Sequence, residues 1–190
     1  MKLLKLIIQN FRGLKGDKNV IDFSQSDIIF LIEKNNVDKS TFLDAYEFFT
    51  DSKQKALRED FYNYDNTIPI IIEGIFLKET SDDDDSDLEG SGRNTDPSWI
   101  EKWVDSDGIV RVRKKWSTEG DSFIKETFSP QNNAWGPNRF GGFDSLFTKY
   151  APSAIRINAM GNENSLAEKV NKLMQDNFLK KIKVSYNIFQ

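Results

Sequence analysis

The chain has 190 residues, a formal net charge of −4, 38% hydrophobic residues and 13% aromatic residues, which is enough apolar material for one packed core and excludes a disordered chain. It contains no Cys and no His, which removes disulfides, thiolate chemistry, His acid–base catalysis and His metal ligands. The absence of Cys suits a reducing, cytoplasmic setting.

The first segment, KLLKLIIQNF, alternates: Leu4, Leu6 and Ile8 fall on one side, Lys5 and Gln9 on the other. Period two predicts a half-buried strand. No apolar run approaches the roughly 18–20 residues needed to cross a bilayer. Gln9, Asn10 and Arg12 stand where a signal peptide would carry its small-residue cleavage site. A turn at Phe11–Leu14 and Gly16–Asp17 leads into a second strand, NVIDFS. The run Ile28–Ile32 is continuously apolar, as expected of a strand covered on both faces. After it the period changes: Phe42, Leu43, Tyr46 and Phe49 mark an amphipathic helix from about Lys39 to Thr50.

Between that strand and helix lies LIEKNNVDKS, residues 31–40. It matches the phosphate-binding template G-x-x-x-x-G-K-[ST] at Lys39 and Ser40, with Thr41 following, but Glu33 and Asp38 occupy the two glycine positions. The template binds phosphate with backbone N–H groups and a helix N-terminus, neutralises it with the lysine and ligates Mg²⁺ through the hydroxyl. A carboxylate at position 38 adds bulk and like charge beside the expected phosphate. Two unit charges about 4 Å apart repel by roughly 4 kcal/mol at an effective dielectric of 20. A loss of even about 3 kcal/mol weakens affinity more than a hundredfold. Glu33 and Asp38 are also close enough in sequence to pair with Lys39.

Further on, IPIIIEGIFL (68–77) reads as a strand with Pro69 near its start. Residues 81–97 form an acidic, Gly/Ser-bearing loop; seven carboxylates against Arg93 leave the rest of the chain near neutral, so no nucleic-acid footprint is announced. The Asp82–Asp87 run lacks the spacing of a Ca²⁺ loop and reads as a solvated segment. WIEKWV, GIVRVRKKW and SFIKETF, separated by turn residues, predict antiparallel strands. Arg111, Arg113, Lys114 and Lys115 beside Trp116 are either a nucleic-acid contact or charges that protect a strand edge, and the edge is the expected role. Trp99, Trp103 and Trp135 are expected to be core or interface anchors. Pro130–Gly142 reads as loop and 151–160 as a short strand. Ser165 and Glu168 form a capping box for a last helix, whose apolar stripe is a candidate docking face.

Taken together, LKLIIQNFRGLKG, IDF and IIFLIEKNNVDKSTFLDAYEFF resemble the N-terminal lobe of the ABC-type ATPase family that includes RecF, SMC/Rad50 and the overcoming-lysogenization-defect (OLD) nucleases. REDFYNYDNTIPIIIEGIF also resembles the OLD group. The resemblance implies an α/β, P-loop NTPase-like fold: a mixed sheet with an antiparallel portion and flanking helices, forming a single lobe over 1–190 without a second lobe or TOPRIM domain. It implies that Lys39, Ser40, Thr41 and Asn36 belong to a phosphate loop, with Ser40 the Mg²⁺ ligand if a nucleotide binds, and that Arg12 lies near the nucleotide. The family's signature motif and switch histidine are missing. IIIEG, ending at Glu73, is the nearest approach to a Walker B strand, but it lacks the Asp and comes early; an ordinary strand followed by a surface glutamate is expected instead.

These features lead to an expectation of a noncatalytic, ATPase-lobe-like interaction or regulatory protein, with no cofactor and a protein partner, such as a mimic or inhibitor of an ATP-dependent nuclease or defence ATPase. The alternative is an ATP-binding half-domain, or a fragment of an OLD/RecF-like ATPase, acting in DNA repair or cleavage. Neither reading involves a membrane.

Overall fold

The computed structural model describes residues 1–26, 29, 39–79, 103–137 and 151–152, together with the helical positions 171 and 175. The chain falls into two compact units, Met1–Ala154 and Ile155–Gln190. In the second unit Asn171 and Gln175 are helical and exposed. They lie in the segment where the capping box predicts a helix; the box itself lies outside the described residues, as do the acidic loop and all but 151–152, which are not strand, of the segment 151–160 expected to hold a short strand.

The first unit is built on a six-stranded sheet in the order β2-β1-β3-β4-β5-β6. The strands are β1 (Lys2–Gln9), β2 (Asn19–Asp22), β3 (Ile70–Leu77), β4 (Ile109–Trp116), β5 (Ile124–Ser129) and β6 (Ala134–Pro137), with helix α1 (Lys39–Thr50) between β2 and β3. All pairings among the described strands are antiparallel. The apolar run expected to add a central strand at 28–32 lies outside the described residues except for Ile29. Among the described strands the sheet is wholly antiparallel, and the parallel part of the expected mixed sheet is not seen there.

Period-two alternation sets which residues face α1. Leu6 and Ile8 of β1, Ile70, Ile72 and Phe76 of β3, and Val110, Val112 and Trp116 of β4 are buried in one core with Ala45, Tyr46, Phe48 and Phe49 of α1. Burying each such large side chain contributes about 1.5–3 kcal/mol. Aromatic contacts join the layers: Phe48 lies 5.0 Å from Phe11 and 4.7 Å from Trp116, and Trp116 lies 5.4 Å from Phe123, centroid to centroid. Gly74 faces α1 in the middle of β3, where a Cβ would stand 3.0 Å from Phe49 and closer still to Phe76. A side chain there would fill the space those rings use.

Three expectations are corrected. WIEKWV does not continue as a strand at its described end. Trp103 is in a turn and Val104 makes one isolated bridge to Val110, because the Asp105 carboxylate accepts from the N–H groups of Asp107 and Ile109 and closes a tight turn. Ala134–Pro137, expected to be loop, forms β6, with Trp135 packed edge-on against Phe128. β4 is not an edge strand: it lies between β3 and β5.

Candidate functional site

Helix α1 begins at Lys39, so Lys39, Ser40 and Thr41 form its first turn. Ser40 is exposed, whereas Thr41 is only 5% exposed. That turn has no acidic side chain and the last turn has no basic one, so α1 has no side-chain charge of the sign that complements its dipole at either end. Asn36, Glu33 and Asp38, the other members of the expected phosphate loop, lie outside the described residues.

Arg12 is brought against α1. It sits on the tight turn after β1 with φ +51°, in the left-handed region that L-residues seldom adopt. Its backbone N–H donates to the Asp60 carbonyl at 2.8 Å. Its guanidinium donates from Nε to Asp60 Oδ1 at 3.1 Å and from Nη1 to Asp44 Oδ2 at 2.6 Å. Asp44 lies one helical turn beyond Ser40, so Arg12 and the Ser40-bearing end of α1 share one locality. Asp60 is buried and also accepts from the Leu57 N–H at 3.0 Å. Arg12 therefore ties together the β1 turn, α1 and the short 3₁₀ turn Arg58–Asp60. Around it, Asn10, Asn63 and Tyr64 also take positive φ, and the Tyr62 N–H donates to the Asn10 carbonyl. Two left-handed segments are thus zipped side by side, a feature that REDFYNYDNT does not announce.

The other end of α1 receives a cation from the sheet. Lys114, 2% exposed, donates from Nζ to the Asp51 carbonyl at 2.7 Å, with Phe123 beneath it at 4.0 Å. Trp116 Nε1 donates to the Gln54 carbonyl at 3.1 Å. The positive amine meets the negative end of the helix, and both β4 side chains hold the segment that follows it. Sequence reasoning grouped Lys114 with surface cations. Its alternation with Val112 and Trp116 was the signal that it faces the core.

On the sheet face away from α1, Glu73 pairs with Arg111 at 2.7 Å and Arg113 pairs with Glu126 at 2.6 Å. Arg113 lies 4.1 Å over the Trp135 ring and Arg111 lies 4.6 Å over Phe128. Glu73 is only 5% exposed and sits in the middle of β3, so it is neither a Walker B carboxylate facing α1 nor a surface glutamate. Arg111 and Arg113 share one face as expected, but Glu73 and Glu126 neutralise them, which leaves that pair without free charge for a phosphate backbone. Trp135 serves as the stacking surface for these guanidiniums.

Elsewhere, Lys5 holds the Asp22 carboxyl down to about 2, assisted by hydrogen bonds from Ser24. Thr67 lowers that of Asp65 by side-chain and backbone hydrogen bonds. Burial raises the Tyr46 hydroxyl above the usual tyrosine range. Among the described residues no cluster of three or more acidic side chains could hold a metal ion, and no helix is long and apolar enough to cross a membrane.

Curated proteins gave no match to the sequence. A family model described as the AAA ATPase domain matches residues 1–189, nearly the whole chain. That match implies a P-loop NTPase fold. The chain belongs to the AAA ATPase domain family.

Proposed function

We propose that this chain is a non-hydrolysing regulatory member of its family, close to the RecF/SMC/OLD type. It acts through protein contact, as a mimic or inhibitor of an ATP-dependent nuclease or defence ATPase in the cytoplasm. The observation that carries this reading is the start of α1 at Lys39. The residue before it in the sequence is Asp38, and aspartate is among the most effective residues for capping a helix. A capping carboxylate accepts from the same first-turn N–H groups that hold a phosphate. Asp38 is then the site's own covalently attached anion, and a nucleotide phosphate has to displace it against like-charge repulsion. Glu33 adds a second carboxylate where the template needs glycine.

The residues present do not fit Mg-ATP, although Lys39, Ser40 and Thr41 retain the template's chemistry. In this reading Glu33 and Asp38 are the sequence's own counter-charges to Lys39, and Arg12 is a structural clamp, paired with Asp44 and Asp60. Family membership favours one other reading: an ATP-binding half, completed by a second chain, that serves DNA repair or cleavage. Mg-ATP binding to the purified chain separates the two, and an ATPase assay tests the first directly. Neither binding nor turnover is expected; binding or turnover that Lys39→Ala abolishes would overturn the proposal.

A further inference from the structure

The chain turns through two consecutive left-handed residues, Asn63 (φ +52°) and Tyr64 (φ +59°). Asparagine is at home in that region, whereas a residue with a bulky ring is strained there, and glycine or a second asparagine would hold the same turn at lower cost. Nothing among the described residues repays the strain at Tyr64. Its backbone N–H donates to the Phe61 carbonyl, as that of any residue but proline would. Among the described residues its side chain makes no hydrogen bond or ring contact, and the residue stands 64% exposed. Backbone strain that the fold does not recover marks a residue kept for contact with something else.

Tyr64 has apolar company. Leu57 is 53% exposed at the start of the same segment, and Ile68 is 41% exposed at its end. The segment is pinned along the turn after β1: the Arg12 N–H donates to the Asp60 carbonyl, the Tyr62 N–H to the Asn10 carbonyl, and Asn10 Nδ2 to the Pro69 carbonyl. Asp60 is paired with Arg12, and Asp65 is engaged by Thr67. That leaves Arg58 and Glu59, both exposed and of opposite sign.

We propose that this segment is an interaction surface anchored by Tyr64, and that its partner is a second copy of this chain. One cation beside one anion gives a polyanion no net attraction. Placed against itself across a two-fold axis, the same pattern is complementary: Arg58 of each copy faces Glu59 of the other. The two Tyr64 rings meet between them, with Leu57 and Ile68 around the rings. Tyrosine suits that role because it offers a large amphipathic area at little cost in side-chain freedom. The contact uses none of Lys39, Ser40 or Thr41, so it stands whether or not the chain binds a nucleotide.

The test is sedimentation equilibrium of the full chain, without nucleotide, over a concentration series. So few exposed apolar side chains make a weak contact, and the wild type is expected to be half dimeric at about 100 µM. Tyr64→Asn should weaken dimerisation at least about tenfold, through loss of the anchor. The same variant should raise Tm by about 2–4 °C, because asparagine relieves the left-handed strain. Arg58→Glu and Glu59→Arg should each weaken the dimer, and the double exchange should restore it. Ile124→Thr, at a comparably exposed position of β5, should leave dimerisation unchanged. A wild type that stays monomeric, a Tyr64→Asn variant with undiminished dimerisation or a lowered Tm, a double exchange that fails to restore the dimer, or a dimer lost in Ile124→Thr would each overturn the proposal.

Discussion

Gly74→Ala is the sharpest test of how α1 sits on the sheet. A Cβ at this position would lie 2.4 Å from Phe76 Cε2, 2.8 Å from Phe76 Cζ and 3.0 Å from Phe49 Cε1. Both rings are fully buried, so neither can swing into solvent to make room. Overpacking of this kind costs typically about 1–3 kcal/mol, and three contacts at or below 3 Å put it near the upper end. Alanine returns roughly 0.5–1 kcal/mol relative to glycine within a strand. The net expectation is a destabilisation of about 2 kcal/mol, or about 4–8 °C in Tm for a chain of this size. Urea unfolding followed by tryptophan fluorescence measures it. In a Phe76→Leu background the same substitution should cost less than half as much, because the nearest atoms are gone. A neutral or stabilising Gly74→Ala in the wild-type background would refute the packing of Phe49 and Phe76 over β3.

Other outcomes follow from single contacts. Arg12→Met should destabilise by about 2 kcal/mol, mainly by leaving the buried Asp60 without its cation; a double-mutant cycle with Asp44→Asn should return under about 1 kcal/mol, because Arg12 is 40% exposed. A larger Asp44 coupling would show that pair to be dominant. Trp116→Phe should cost about 1–3 kcal/mol in denaturant unfolding, through the orphaned Gln54 carbonyl and the lost ring contacts; a neutral result would contradict the bond. Asp22 has its folded pKa depressed, so the stability it contributes is fully present above its unfolded value near 4 and is lost as pH falls towards about 2. Lys5→Met should raise the Asp22 pKa in a carboxyl NMR titration, part of the way only because Ser24 still donates; an unmoved titration would contradict the pairing.

The regular elements were legible wherever one physical signal dominated. Period two in KLLKLIIQ and IVRVRKKW matched β1 and β4, and the apolar spacing of Phe42, Tyr46 and Phe49 gave α1 its observed limits. Elements defined by partners rather than by pattern were not legible. β6 is four residues containing Gly and Pro, and it exists because Trp135 finds Phe128 across the ladder. The buried Glu73 and Lys114 read as surface charges because sequence does not reveal that Arg111 and the Asp51 carbonyl await them. For the site, the sequence supplied Lys39, Ser40, Thr41 and Arg12 but not the Asp44 and Asp60 carboxylates that hold Arg12. Those contacts span 32 and 48 residues and arise only when the turn, the helix and the 3₁₀ segment meet.

The central claim is that carboxylates at positions 33 and 38 close the phosphate site at the head of α1. Calorimetric titration of Mg-ATP into the native chain, beside the Glu33→Gly/Asp38→Gly double variant, tests it most directly. The account predicts no binding heat from the native chain and saturable binding by the variant. Micromolar binding by the native chain would contradict it.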